Sequence, residues 1–263
     1  AHIEGGELSG TVDESLRHAI SKLSHLHFVS NLSHKKRLIQ LGENKNKIFV
    51  IGSPDIDIMQ SNKLPNILEV KKKYGIKFKD YSILIFHPVT TEYHKIKNQI
   101  EILINTLKRS KKNYVVIYPN NDMGSEFIFT KYAILSKNKN FKIFKSMRFE
   151  YFLTLLKNCQ FIIGNSSAGV REAPFYGVPA LNIGTRQNNR LKNNIIKNIG
   201  FNEKEILSSI KVVLKKKNTK KKFNFFGKGK SSLKFQKIIS KNSFWKTKIQ
   251  KSFIDKASFD VTD

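Results

Sequence analysis

The sequence predicts an α/β protein built on parallel sheets flanked by helices. Three observations predict it. Short apolar runs rich in β-branched and aromatic residues recur along the chain, stretches of helical period separate them, and polar or glycine-rich segments fall just after the runs. Parallel strands joined by right-handed helical crossovers satisfy such an alternation.

Taken in order, Ala1-His2-Ile3 reads as the middle of a strand with no initiator Met before it, so an N-terminal portion is expected to be missing. Strands are expected at 26–30, 47–51, 82–86, 114–118, 141–144, 160–163 and 180–183. Amphipathic helices are expected at 12–23, 33–41, 94–108, 126–135, 150–157 and 170–176. The break at Gly52-Ser53-Pro54-Asp55 and the polar stretch through Pro65 place a domain boundary, giving domains 1–56 and 57–212. Residues 213–263 read as a lysine-rich linker followed by a terminal helix near 231–240. The runs Lys215-Lys216-Lys217 and Lys220-Lys221-Lys222 read as solvated linker.

Composition narrows the function classes. Lys plus Arg total 48 against 20 acids, a formal charge of +28 that favours polyanions or phosphorylated substrates. Arginine supplies only seven of the 48, and the lysines travel with Asn, Ile, Phe and Ser, the pattern of an AT-rich coding bias. No aromatic-basic signature of a nucleic-acid module appears, so no nucleic-acid partner is expected. No window holds the ~18 uncharged apolar residues of a membrane span, and a cytoplasmic enzyme is expected. Cys159 is the only cysteine, which excludes an internal disulfide and a multi-thiolate metal site and suits inert core.

Ligands of parallel α/β sheets bind beyond the carboxyl ends of strands. Those positions here are Glu4-Gly5-Gly6-Glu7, Gly52-Ser53-Pro54-Asp55, His87-Pro88-Val89-Thr90-Thr91-Glu92, Pro119-Asn120-Asn121-Asp122, Gly164-Asn165-Ser166-Ser167-Ala168-Gly169 and Gly184-Thr185-Arg186-Gln187. Six polar segments on one predicted edge suggest a cleft. In the run ending at Gly169, small residues would let backbone N–H groups approach an anion at a helix N-terminus that carries about half a positive charge. Ser166 and Ser167 could add hydroxyls, and Arg186 a planar bidentate donor. A simple helix cap would explain the same serines. Glu172 fits either dipole compensation or a carboxylate accepting ribose hydroxyls. The loop is neither a dinucleotide fingerprint nor a Walker loop, and Gly227-Lys228-Gly229-Lys230-Ser231 lacks the upstream strand a phosphate loop needs.

A second cluster spans Glu4 to His27. Asp13 and Arg17, and Glu14 and His18, stand four apart and share helix faces, as surface ion pairs or as acid–base machinery. His18, His25 and His27 hold no familiar zinc spacing; the last two suit polar packing at a strand start, and no metal is expected.

The stretch His2-Ile-Glu-Gly-Gly-Glu-Leu-Ser-Gly-Thr-Val-Asp-Glu-Ser-Leu-Arg-His18 resembles the UDP-N-acetylglucosamine 2-epimerase family, in its hydrolysing, sialic-acid-pathway branch. So do the segments at 52–55, 87–92, 164–174 and 184–187, in family order, and Gly227-Lys-Gly229 is similar to a terminal-helix signature. The resemblance implies two Rossmann-like domains in a glycosyltransferase-B-like arrangement, the first incomplete at its N-terminus, with the terminal helix crossing back to it. It implies a UDP-sugar partner, a homo-oligomer (dimer or tetramer), and no cofactor.

It also implies the chemistry: a base removes the C2 proton as UDP leaves C1, and water adds to the resulting 2-acetamidoglucal to release N-acetylmannosamine. By motif position Glu4 and Asp13 match the acid–base carboxylates and Arg17 a positioning residue. His87 matches a histidine near the diphosphate, as imidazolium or N–H donor. Ser166, Ser167 and Gly169 match the phosphate loop, Glu172 the ribose ligand and Arg186 a UDP contact, while Asn120, Asp122 and Met147-Arg148-Phe149 would flank the nucleotide. A further family carboxylate would lie upstream of Ala1, which puts the activity of these 263 residues alone in question, and Lys228 stands where relatives carry acidic residues. Competing readings are a hydrolysing epimerase for UDP-2,4-diacetamido-trideoxy sugar, a non-hydrolysing epimerase, and a UDP-sugar glycosyltransferase, since the fold hosts many activities.

Overall fold

A computed structural model describes residues 1–187, 190, 191, 193–215 and 223–254 of the chain. It is α/β, with two parallel sheets in two compact units. The first unit comprises Ala1–Leu8, Val12–Ser61 and the chain from Asn224 onward; the second comprises Ser9–Thr11 and Asn62–Phe223.

In the first unit, strands β1 (His2–Ile3), β2 (His27–Val29) and β3 (Ile48–Val50) pair in parallel in that order. Helices Asp13–Leu23, Leu32–Gln40 and Pro54–Met59 follow the three strands in turn. Alternate residues of a strand face opposite ways, so each face of this sheet needs its own cover. Phe28 and Ile51 pack with Phe244 and, from helix Ser231–Ile239, Phe235 and Ile238, whereas Val29 and Ile48 pack with Leu38. The returning segment thus completes one face of the first unit. Ser231 opens its helix behind Gly227 and Gly229, both at positive φ, and the Asp57 carboxylate takes up the helix's first N–H groups. The glycine-lysine string therefore presents its helix N-terminus to a protein carboxylate.

The second unit is a six-stranded parallel sheet. Its strands are β4 (Ser82–Ile85), β5 (Tyr114–Ile117), β6 (Phe141–Phe144), β7 (Ile162–Gly164), β8 (Ala180–Ile183) and β9 (Ile196–Ile199), ordered β6-β5-β4-β7-β8-β9. This is the doubly wound order, in which the strand order reverses between β4 and β7. Leu84, Phe86, Val116, Ile163 and Leu181 pack with helices Ile96–Arg109, Ser125–Leu135 and Glu203–Lys215, while the intervening Ile83, Ile85, Val115 and Ile162 are equally buried. Burial on both faces explains why these strands read as continuous apolar runs.

Several elements depart from the sequence reading. Helix Pro54–Met59 occupies part of the stretch read as a polar break, helix Ile67–Tyr74 follows it where no helix was expected, and helix Glu203–Lys215, also not expected, runs past residue 212 into the stretch read as linker. Strand β9 was not expected; Lys197 and Asn198 interrupt its apolar pattern, as suits an edge strand. No α-helix begins at Val170: a 3₁₀ turn at Ser167–Gly169 leads to a five-residue helix, Glu172–Tyr176, closed by Gly177 in the left-handed region. Residues 216–222, which hold most of the two lysine runs, lie outside the described residues. No described helix is long and apolar enough to cross a membrane.

Candidate functional site

The reversal point brings the end of β4 beside the end of β7. Gly164 closes β7 at φ 129°, and a Cβ there would stand 1.9 Å from the carbonyl oxygen of Ile85. Only glycine permits that approach. Asn165 follows, 1% exposed. Its Oδ1 accepts from the main-chain N–H of His87 at 2.7 Å, and its Nδ2 donates to the His87 carbonyl at 2.8 Å. The side chain thus pairs with both main-chain groups of one residue, as a neighbouring strand would, and continues the sheet's hydrogen bonding past both strand ends. Its own carbonyl accepts from Arg186 Nη1 at 3.3 Å and from Gln187 Nε2 at 3.0 Å. Asn165 is therefore the hub on which three loops converge.

His87 is 8% exposed. Its Nδ1 stands 3.2 Å from the main-chain N–H of Asn120, which can only donate, so Nδ1 accepts and the ring proton belongs on Nε2. Burial, with the nearby Arg186 charge second, pushes the imidazole pKa down to about 3. Of the two forms considered from sequence, this burial favours the neutral imidazole over the imidazolium near neutral pH. What remains is a neutral ring with an N–H to give, because charging it would require desolvating a cation beside a guanidinium.

The serine loop is built differently from the expected helix start. Ser166 caps the 3₁₀ turn, its Oγ accepting from the Ala168 N–H at 3.3 Å while the hydroxyl hydrogen remains to donate. Ser167 and Gly169 form the turn, and a Cβ on Gly169 would meet only ordinary contacts, nearest 3.7 Å at Ala180. An anion here would rely on individual N–H and hydroxyl donors, because five helical residues sum only a small dipole. Glu172 is buried, with its carboxylate 3.8 Å from Arg171 Nε.

The loop after β8 carries Arg186. Thr185 Oγ1 donates to Glu92 at 2.6 Å, Gln99 donates to the same carboxylate at 2.8 Å, and the Thr185 bond leads the effects that hold Glu92 below the usual carboxylate range. The Arg186 carbonyl accepts from Gly10 N–H at 3.1 Å. A side chain at Gly10 would bring Cβ to 2.5 Å from the Thr185 carbonyl, so the Ser9–Thr11 segment lies closely on this loop. Asn165, Gln187, Glu92 and Thr185 were not singled out from sequence. Asn165 and Thr185 adjoin residues that were, but their role appears only once β4 and β7 are known to be neighbours.

In the first unit, Glu4 lies just past β1 at φ 63°, a left-handed conformation that costs a non-glycine residue about 1–2 kcal/mol. Arg17 Nη1 donates to the carbonyl of Glu7 at 3.1 Å, and Arg37 donates to that of Gly6, so two guanidiniums hold the turn that carries Glu4. Asp13 opens helix Asp13–Leu23 and is exposed, while Glu14 and His18 form the side-by-side pair at 3.6 Å. His25 bonds the Ile249 carbonyl at 2.8 Å, and buried His27 bonds Glu43 at 2.9 Å beneath Lys251. Among the described residues no three His, Cys, Asp or Glu side chains gather as metal ligands.

The second unit thus brings His87, Asn120 and Arg186 together around Asn165, with the serine loop continuing from it. Glu4, Asp13 and Arg17 belong to the first unit, and Arg148 is an exposed helix cap paired with Glu150. Neutral donors and one guanidinium at a sheet reversal can receive a phosphorylated ligand and stabilise charge developing on a departing oxygen.

Comparison with known proteins bears on which ligand. The family model described as UDP-N-acetylglucosamine 2-epimerase matches residues 1–240. A UDP-N-acetylglucosamine 2-epimerase of Neisseria meningitidis serogroup B is 46% identical over 256 residues, covering 97% of this chain and 68% of the relative. A UDP-N,N'-diacetylbacillosamine 2-epimerase (hydrolyzing) of Legionella pneumophila is 34% identical, covering 90% of this chain and 63% of the relative. The chain therefore spans about two thirds of the length of these relatives. Among solved structures, Methanocaldococcus jannaschii UDP-GlcNAc 2-epimerase in complex with UDP-GlcNAc and UDP shares the fold, with a TM-score of 0.72 at 22% identity, covering 91% of this chain and 68% of that one.

Proposed function

This chain belongs to the UDP-N-acetylglucosamine 2-epimerase family, and we propose that it comes from a hydrolysing 2-epimerase that converts UDP-N-acetylglucosamine and water to N-acetylmannosamine and UDP. The observation that carries the reading is the array at the sheet reversal, where neutral His87 and Arg186 are both fixed through Asn165. The diphosphate sits on the loop of Ser166, Ser167 and Gly169 with Arg186 as its guanidinium, and Glu172 accepts the ribose hydroxyls. Asn120 flanks the nucleotide and holds His87 in one tautomer.

The reaction is an elimination followed by hydration. A carboxylate, Glu4 or Asp13, takes the C2 proton while the C1–O bond to the β-phosphate breaks, giving 2-acetamidoglucal and UDP. A carbon-bound proton of this kind is weakly acidic, so its removal depends on a well-stabilised leaving group. His87 Nε2–H donates to the departing diphosphate without carrying a charge of its own. Water then adds across the double bond, a proton returning to C2 on the opposite face and hydroxyl to C1. Arg17, bonded to Glu7, steadies the turn that bears Glu4.

Glu7-Leu-Ser-Gly-Thr-Val-Asp13, which resembles the hydrolysing branch, supports hydrolysis over simple epimerisation. A second reading, in which the sugar is UDP-N,N'-diacetylbacillosamine, is favoured by the Legionella relative of that name. Incubation of the full-length parent protein with each UDP-sugar in D₂O, followed by NMR, tests the choice. N-acetylmannosamine deuterated at C2, released in step with free UDP, is expected; turnover of the diacetylated sugar alone would select the second reading.

A further inference from the structure

We propose that Glu92 is a positioning residue for Arg186, acting through Thr185, and that affinity for a nucleoside diphosphate depends on this link; the inference rests on the reading of Arg186 as a diphosphate contact. Glu92 sits in the irregular turn after His87, with non-helical backbone angles (φ −118°, ψ 27°) inside the 3₁₀ segment Thr90–Lys95. One carboxylate oxygen accepts from Thr185 Oγ1 at 2.6 Å, a short charge-assisted bond. The other accepts at 2.8 Å from Gln99, a buried residue of helix Ile96–Arg109, which is packed into the sheet's core. The carboxylate therefore ties the loop after β8 to a rigid helix of the same unit.

Gly184 turns that loop through the left-handed region at φ 76°, and two residues on, Arg186 Nη1 donates to the Asn165 carbonyl at 3.3 Å. Thr185 is the residue between them, and the main chain it anchors sets where the guanidinium starts. By charge alone, an acid next to a diphosphate-binding arginine opposes anion binding. Its presence is accounted for by the hydrogen bond it accepts, and this separates the two effects experimentally.

The test is calorimetric titration of UDP into the 263-residue chain and its variants. Glu92→Ala and Thr185→Val are each expected to weaken UDP about tenfold, the size of one charge-assisted hydrogen bond. Glu92→Gln and Thr185→Ser, which keep an acceptor and a hydroxyl, stay within about threefold of the parent. The double variant Glu92→Ala/Thr185→Val is no weaker than either single one, because both break the same link. Unchanged affinity in Glu92→Ala, equal loss in Glu92→Gln, tighter binding in Glu92→Gln, or additive losses in the double variant would each overturn the proposal. If the parent chain binds UDP and only these comparisons fail, the proposed function stands without Glu92; if the parent binds no UDP, both fall.

Discussion

The side-chain amide of Asn165 hydrogen-bonds both main-chain groups of His87, accepting from its N–H at 2.7 Å and donating to its carbonyl at 2.8 Å. Both bonds are buried and reciprocal, so neither can be lost without leaving a polar group unsatisfied. Asn165→Asp replaces the donor with an oxygen that faces the His87 carbonyl. Urea unfolding should show a loss of about 1–3 kcal/mol relative to the parent. Parent-like stability would mean that the pairing does not hold the two strand ends together.

The neutral state of His87 has a pH signature. Its pKa is near 6.5 when unfolded and about 3 when folded. Between those values the unfolded chain binds the extra proton, so this group's contribution to stability is complete above pH 6.5 and is lost as pH falls toward 3, by about 1.4 kcal/mol per pH unit. Nitrogen NMR of the imidazole should report the Nε2–H tautomer unchanged from pH 8 to pH 5. Charging of the ring in that interval would refute the assignment.

Asp57 caps the returning helix, accepting from the N–H groups of Ser231 and Ser232 and from the Ser232 hydroxyl, each at 2.9 Å. Those bonds hold its pKa below the ordinary aspartate value against the opposing effect of burial. The cap is in force above the unfolded pKa and is lost as pH falls through the folded one. Asp57→Ala should lower stability by about 0.5–2 kcal/mol at neutral pH. A chemical denaturation curve identical to the parent's would remove the cap from the account.

Binding and chemistry should separate by unit. Arg186→Ala is expected to weaken UDP by about 1.5–3 kcal/mol, the range for a hydrogen bond to a charged group. Asp13→Asn, in the full-length parent protein, should leave UDP affinity nearly unchanged while abolishing turnover. Calorimetry beside a product assay checks both, and equal loss of UDP affinity in the two variants would contradict the assigned roles.

Much of the architecture was legible because a parallel sheet buried on both faces writes its strands as apolar runs: 141–144 and 180–183 were bounded as they stand. The short helices carried signals of another kind. Asn66 and Glu69 form a reciprocal capping box closed by left-handed Gly75, and Pro54 stands at the first helical position after Ser53. The second lies in the stretch whose polarity read as a break, and the first begins just after it. The site was legible as a set of strand-end segments but not as a geometry. That Asn165 reaches His87, 78 residues away, follows from β7 lying beside β4, which no local pattern encodes. The neutrality of His87 likewise comes from burial that its flanking sequence does not reveal.

Diffraction from a crystal of the chain soaked in UDP will show whether a nucleoside diphosphate sits where β4 and β7 part. The pyrophosphate is expected against the backbone of Ser166–Gly169, within hydrogen-bonding distance of the Arg186 guanidinium and with His87 Nε2 facing an oxygen. A vacant loop, or UDP bound elsewhere on the second unit, would contradict that placement.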